Sequence, residues 1–207
     1  MGERNTIHSI GSLTLVEASF SGSLYGKIYT IDDYLSGDEM EQLAPKVSMD
    51  HIHDLSDIYP NVRLWENQAY ESAFHKTKVL WDHWDRIAQV SSDADVVHIG
   101  GHVGYEYNLA EPAYLRERLQ ASPAHMREYE PHTDYGAKAL TIIVPIAPGV
   151  NEPTRFHGYD GTKMTRSIPW VVNQAYVFRP TANHSWHSYI GGDADRYVLN
   201  INFMYSD

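Results

Sequence analysis

In the second half of the chain, apolar and β-branched residues come in short runs broken by turn-forming residues: "KALTIIVPIA", "PTRFHGYDG", "SIPWVV", "QAYVFRP" and "SWHSYIGGDADRYVLNINFMY". Runs this short and this evenly spaced predict the antiparallel strands of a sandwich or barrel rather than a parallel sheet. The first half is mixed. "SLTLVEA" and "SLYGKIYT" pattern as strands, and "IDDYLSGDEMEQLAPKV" opens like a helix with an Asp cap. Between Asn67 and Val90 the apolar residues Ala69, Ala73, Leu80, Trp84 and Ile87 fall on one helical face, the pattern of a helix packed against a sheet.

No repeat, linker or low-complexity tract divides this pattern. The expected fold is mainly β with α (α+β), a single domain over residues 1–207, with strands and supporting helices in 1–123 and the main jelly-roll region in 124–207.

Composition narrows the chemistry. With 16 Lys and Arg against 27 Asp and Glu, the net charge of -11 argues against a broad phosphate-binding face, so no nucleic-acid partner is expected. There is no cysteine, which excludes disulfides, thiolate metal sites and a Cys nucleophile and leaves His and carboxylates as metal ligands. No apolar run reaches the roughly 18 residues that span a bilayer, and no basic start leads into an apolar core. The expectation is a cytoplasmic protein without membrane contact.

The triplet His-x-Asp occurs at His83-Trp84-Asp85 and at His132-Thr133-Asp134. The first lies in the expected helix, where positions two apart point about 200° from each other and cannot chelate one ion. The second lies at the end of an expected strand, where residues i and i+2 share a face and can converge on a metal.

"SWHSYI-GGDA-DRYVLN" reads as a β-hairpin around Gly191-Gly192, with position 187 facing 198. In that register His187, Tyr189, Arg196, Val198, Asn200 and Asn202 share one side, and His184, Trp186, Tyr197, Leu199, Ile201 and Phe203 the other; one bulge would exchange the two histidines. A face holding Arg196 and two asparagines is too polar for a dry core. It is either the solvent side or the lining of a cavity for an anionic ligand, and parity alone leaves both open.

With these residues in place the sequence resembles the Fe(II)/2-oxoglutarate-dependent oxygenases. Their pattern is His-x-Asp/Glu, a gap of roughly fifty residues or more, a distal His, then a basic residue about nine to eleven positions on. Here His132-x-Asp134 is followed 53 positions later by His187 and nine after that by Arg196, whereas His184 would set the arginine at twelve.

The resemblance implies a double-stranded β-helix (jelly-roll, cupin-like) over most of 126–204. It implies Fe(II) held by the catalytic residues His132, Asp134 and His187, with Arg196 binding the distal carboxylate of 2-oxoglutarate and O2 as the other reactant. Oxidative decarboxylation to succinate and CO2 would drive hydroxylation of an unactivated C–H bond. Asp134 favours hydroxylation over halogenation, while desaturation, epoxidation and cyclisation use the same ligands.

Tyr129 and Asn200 are further co-substrate contacts in this reading, Pro131 is expected to bulge the strand before the triplet, and Arg127, Arg155, Arg166 and Asn202 are candidate substrate contacts. His51 and His53 are expected in an exposed loop, and His157 has no assigned role. The expected substrate is a small molecule, an amino acid or natural-product intermediate. A peptidyl side chain is the alternative within the family. Outside it stand a cupin-type metal enzyme independent of 2-oxoglutarate and a non-catalytic metal-binding β-sandwich module. A homodimer is the candidate assembly.

Overall fold

The computed structural model describes residues 7–17, 28–43, 58–59, 70–84, 112–134, 136–158, 161, 164–180 and 185–205. In chain order the elements are β1 (Ile7–Ile10), β2 (Leu13–Glu17), β3 (Ile28–Ile31), α1 (Gly37–Leu43), β4 (Ile58–Tyr59) and α2 (Glu71–Asp82). The remaining strands are β5 (Tyr114–Ser122), β6 (Tyr129–His132), β7 (Lys138–Ala147), β8 (Thr154–His157), β9 (Met164–Ile168), β10 (Ala175–Phe178), β11 (His187–Tyr189) and β12 (Arg196–Met204). The described part of the expected Asn67–Val90 helix is α2, with Trp84 two residues beyond its end; Asp85, His51, His53 and His184 lie outside the described residues.

Two antiparallel sheets form. The major sheet runs β1-β2-β3-β10-β7-β12-β5-β4 and the minor sheet β6-β11-β8-β9. From β5 onward the chain keeps passing between the sheets, which makes a double-stranded β-helix, mostly β with few helices. Among the described residues no helix is long and apolar enough to cross a membrane.

Three local expectations are corrected. The β11–β12 hairpin does not form: β11 pairs with β6 and β8 in the minor sheet, and β12 with β5 and β7 in the major sheet. Gly191 and Gly192 carry the chain across between the sheets. A Cβ on Gly191 would lie 2.5 Å from the Met126 nitrogen and 2.6 Å from the Pro123 oxygen, so close backbone crossing, not hairpin geometry, demands the glycine. The roll also starts earlier than residue 126, because β5 pairs with β12 along its whole length, from Tyr114↔Met204 to Ser122↔Arg196. Finally, "SIPWVV" is a strand only as far as Ile168; beyond it Trp170 turns inward.

The main core lies behind the major sheet rather than between the sheets. Leu119, Leu140, Ile142, Val144, Val177, Leu199, Ile201 and Phe203 point back against Leu35, Leu43, Ala73, Leu80 and Trp84 of the helical layer. On α2, Ala73, Thr77, Leu80 and Trp84 recur at steps of four and three, one buried stripe of a helix. Glu39, 2% exposed, ties the two helices together. With Ser36 it forms a capping box on α1: the Ser36 N–H donates to Oε2 at 2.7 Å and the Glu39 N–H to Ser36 Oγ at 3.3 Å. The cap is therefore Ser36, not the expected Asp. Glu39 Oε1 accepts from the Ser72 and Ala73 N–H groups at the start of α2, where the helix dipole favours a carboxylate.

Candidate active site

The space between the sheets is a cavity of about 180 Å³, lined from the major sheet by β5, β7, β10 and β12 and from the minor sheet by β6, β8 and β11. Alternation along β12 sends Arg196, Val198, Asn200 and Asn202 into it and Tyr197, Leu199, Ile201 and Phe203 into the core behind. His187 and Arg196 thus share a cavity, but as residues of facing sheets.

On β6 the register with β11 slips by one residue: His132 faces His187 while Tyr129 faces Tyr189, so Glu130 and Pro131 oppose the single Ser188. A bulge at a proline, which has no N–H to give the ladder, lets residues three apart face the same way. Tyr129 and His132 accordingly both line the cavity, with Tyr129 stacked on Tyr189 at 5.4 Å.

Among the described residues, one group could hold a metal: His132, Asp134 and His187, whose candidate ligand atoms lie within 4.8 Å of one another. Both imidazoles are held the same way. His132 Nδ1 bonds the Glu130 carbonyl at 3.0 Å and His187 Nδ1 the Ser185 carbonyl at 2.8 Å. A carbonyl only accepts, so each Nδ1 carries the proton and each Nε2 lone pair is free for a metal.

Burial pushes the His187 pKa down to about 4, although the neighbouring Asp134 charge opposes the shift. Burial alone would raise the Asp134 carboxyl; the positive charges that His187, Lys138 and His132 can carry outweigh it and hold the group below its usual range. With His187 neutral, Lys138 Nζ, 2.9 Å from Asp134 Oδ2, is the cation beside that carboxylate. A neutral His187 and an ionised Asp134 are the protonation states a metal requires of its ligands. Two imidazoles and one carboxylate, with no thiolate, fit an ion of the non-haem Fe(II) type.

Arg196 is 3% exposed, and among the described residues no carboxylate pairs with it. Its guanidinium donates to the Glu152 carbonyl at 3.0 Å and to Thr154 Oγ1 at 2.6 Å, and lies 4.6 Å from the Trp170 ring centroid and 4.8 Å from that of Tyr189. Burial lowers its pKa, but a guanidinium remains charged. Tyr176, its pKa raised by burial, bonds Thr154 Oγ1 at 2.7 Å and keeps its hydroxyl protonated beside the arginine. A buried cation with spare donors, flanked by hydroxyls, is a seat for an anion.

The other candidates separate. Asn200 and Asn202 line the cavity, joined by a 2.9 Å bond from Asn202 Nδ2 to Asn200 Oδ1. Arg127 is exposed and does not line it. Arg155 turns away from the cavity toward Glu128, 3.4 Å distant, and Arg166 lies over the Phe156 ring outside the cavity lining. His157 is buried on the far side of the minor sheet, bonded through Nε2 to Ser188 Oγ at 2.7 Å. Sequence reasoning missed Arg116, Arg118, Gln120 and Ser122 of β5, together with Lys138, Thr154 and Tyr176, all of which line the cavity. The signal was there for β5: polar residues at every second position from 116 to 122.

No protein-family model and no curated protein sequence matches the chain. The fold does match solved prolyl hydroxylases, which are Fe(II)/2-oxoglutarate oxygenases. One is a Trichoplax adhaerens prolyl hydroxylase in complex with a hypoxia inducible factor oxygen degradation domain peptide fragment (TM-score 0.55, 11% identity, 86% of this chain and 83% of that one). Another is a Pseudomonas putida prolyl-4-hydroxylase (TM-score 0.52, 13% identity, 88% and 89%). A third is the viral collagen prolyl hydroxylase of Paramecium Bursaria Chlorella virus-1, in a 2OG complex (TM-score 0.52, 12% identity, 91% and 100%). At these identities the likeness establishes the shared double-stranded β-helix.

Proposed function

We propose that the chain is a non-haem Fe(II)- and 2-oxoglutarate-dependent oxygenase that hydroxylates a C–H bond of a small molecule. One observation carries this reading: two imidazole Nε2 atoms and a carboxylate converge in the same cavity that buries Arg196, which among the described residues has no carboxylate partner. His132, Asp134 and His187 would hold the iron. Bound together, Fe(II), 2-oxoglutarate and O2 supply C–H oxidation with release of succinate and CO2.

The chain's own residues do the rest. Glu130 and Ser185 orient the imidazoles through their carbonyls. Arg196, with Thr154 and Tyr176, offers a fork of donors for the distal carboxylate of the co-substrate, and Trp170 and Tyr189 cover the guanidinium against water. Arg196 also separates this reading from a cupin-type enzyme or a structural metal module, neither of which needs a buried counter-charge for a second ligand.

A second reading, a peptidyl side-chain hydroxylase, is favoured by the fold neighbours, one of them bound to a peptide fragment. Succinate formation from 2-oxoglutarate, followed across metabolites and prolyl peptides, tests both. Turnover is expected with Fe(II) and lost in His187→Ala. A wild-type chain that gains no thermal stability from Fe(II) plus 2-oxoglutarate would defeat both readings, since a ligand that binds only the native state must stabilise it.

A further inference from the structure

The chain carries a net charge of -11, yet among the described residues the cavity is lined by four Lys and Arg side chains, Arg116, Arg118, Lys138 and Arg196, against the single carboxylate of Asp134. Lys138 is paired with Asp134, and Arg196 is assigned above to the co-substrate. Arg116 and Arg118 have no role in that scheme. They alternate on β5 with Leu115, Glu117 and Leu119, and so face the cavity from the same sheet as Arg196.

Their distance from Arg196 is set by the register. Arg196 pairs with Ser122, Asn200 with Arg118 and Asn202 with Arg116. At about 3.4 Å per residue, the backbone positions of Arg118 and Arg116 therefore stand about 14 and 20 Å along the strands from the Arg196 row. A five-carbon dicarboxylate held at Arg196 is shorter than either span. The register thus sets the Arg116 and Arg118 positions well along the strands from the Arg196 row.

The neighbouring amide points the same way. Asn202 Oδ1 accepts from Thr141 and Asn200 Oδ1 accepts from Asn202 Nδ2, which occupies the acceptor of Asn200 and leaves its N–H2 as a donor toward the cavity. Arg116 is exposed and Arg118 half-buried, a graded pair of cations leading inward. The cavity of about 180 Å³ is below the ~300–1,000 Å³ typical of pockets for drug-sized ligands.

We propose that Arg116 and Arg118, with Asn200, form an anion subsite for the primary substrate, which is therefore a small organic anion, a carboxylate or a phosphate monoester, rather than a neutral peptide side chain. This rests on the oxygenase reading of the same cavity and narrows it.

The test uses the full chain under anaerobic Fe(II) and saturating 2-oxoglutarate. Calorimetric titration compares N-acetyl-L-proline with N-acetyl-L-prolinamide, N-acetyl-L-leucine with N-acetyl-L-leucinamide, glycerol 3-phosphate with glycerol, and includes a capped proline-containing peptide. At least one anion is expected to bind about tenfold or more tighter than its neutral partner. Arg118→Gln and Arg116→Gln should each weaken that binding about 10- to 100-fold, the worth of a charge-assisted hydrogen bond, and Arg118→Lys should restore part of it. Binding of 2-oxoglutarate to the same variants should stay within about twofold, which a merely misfolded cavity would not allow. The amino-acid and phosphate arms decide between the two kinds of anion. The proposal is overturned if neutral partners bind as well as the anions, if the variants bind like the wild type, or if 2-oxoglutarate binds and only the peptide, or no probe at all, follows it. Failure of 2-oxoglutarate to bind the wild-type chain is a different result, because it removes the oxygenase reading itself.

Discussion

Along β12, neighbouring residues serve opposite ends. Leu199, Ile201 and Phe203 pack behind the major sheet in the larger apolar cluster, with the Phe203 ring 5.0 Å from that of Trp81 on α2. Arg196, Asn200 and Asn202 face forward into a cavity whose apolar cluster is much smaller, Ile28, Ile143, Phe156, Ile168, Tyr176, Phe178 and Val198. A roll that must hold polar ligands cannot also be filled with hydrocarbon, because burying an unpartnered cation or amide opposes folding. Stability is placed behind the sheet and chemistry in front of it. The two sides should therefore be separable by mutation.

The largest effect belongs to the rear. Phe203→Ala should destabilise the chain by about 3–5 kcal/mol, the usual cost of emptying a fully buried aromatic site, and the loss should appear in urea or thermal unfolding. Metal and 2-oxoglutarate affinities of the folded fraction should stay close to wild type. If they fall together with stability, the two faces are coupled and the separation fails.

Next comes Arg196→Met. Its stem is replaced by an apolar chain of similar length, and a buried cation without a carboxylate partner among the described residues disappears. Removing a desolvated charge is often neutral or stabilising, so the melting temperature should hold or rise. Affinity for 2-oxoglutarate should fall about 100-fold by calorimetry, the scale of a charge-assisted carboxylate contact. A stability loss with unchanged 2-oxoglutarate binding would make Arg196 a structural residue.

These two sides were unequally legible in the sequence. β12 declares both of its faces: its odd positions are all apolar, while its even positions hold Arg196, Asn200 and Asn202 with only Val198 and the terminal Met204 apolar. β5 has the same alternation, but its cavity face is Arg116, Arg118 and Gln120 and its rear face is interrupted by Glu117, so no apolar run announces a strand. The triad elements were readable because His132 and Asp134 are local to one strand end. The partner of β11 was not. Gly191-Gly192 satisfies hairpin chemistry locally, while its real constraint, contact with Pro123 and Met126, comes from residues more than sixty positions away. His187 and Arg196 were grouped by an alternation that holds on each strand although the strands never pair.

A smaller effect should follow pH. His187 titrates near pH 6.5 when exposed and at about 4 in the fold, so between these values the unfolded chain binds a proton that the folded chain refuses. The metal-free chain should therefore lose stability as pH falls from 6.5 toward 4. The depressed Asp134 carboxyl adds loss in the same direction at more acid pH. His187→Asn should flatten the slope, measured as unfolding midpoints at pH 7, 6 and 5. An unchanged slope would assign the acid sensitivity elsewhere.

The smallest effect concerns the outer side of the minor sheet. Arg155 and Glu128 are partly exposed, 28% and 41% for their side chains, and meet at 3.4 Å, the geometry of an ion pair that water and salt screen. Glu128 keeps its carboxyl ionised chiefly through the hydrogen bond from Ser188, with Arg155 contributing less. Arg155→Ala should consequently change stability by less than about 0.5 kcal/mol. It should leave 2-oxoglutarate and substrate binding intact, because Arg155 points away from the cavity. Ser188→Ala is the sharper companion: it takes from both Glu128 and the buried His157 a hydrogen-bond partner adjoining His187, and should cost more than Arg155→Ala. Should Arg155→Ala instead weaken substrate binding more than Arg118→Gln does, the anion subsite would belong to β8 and not to β5.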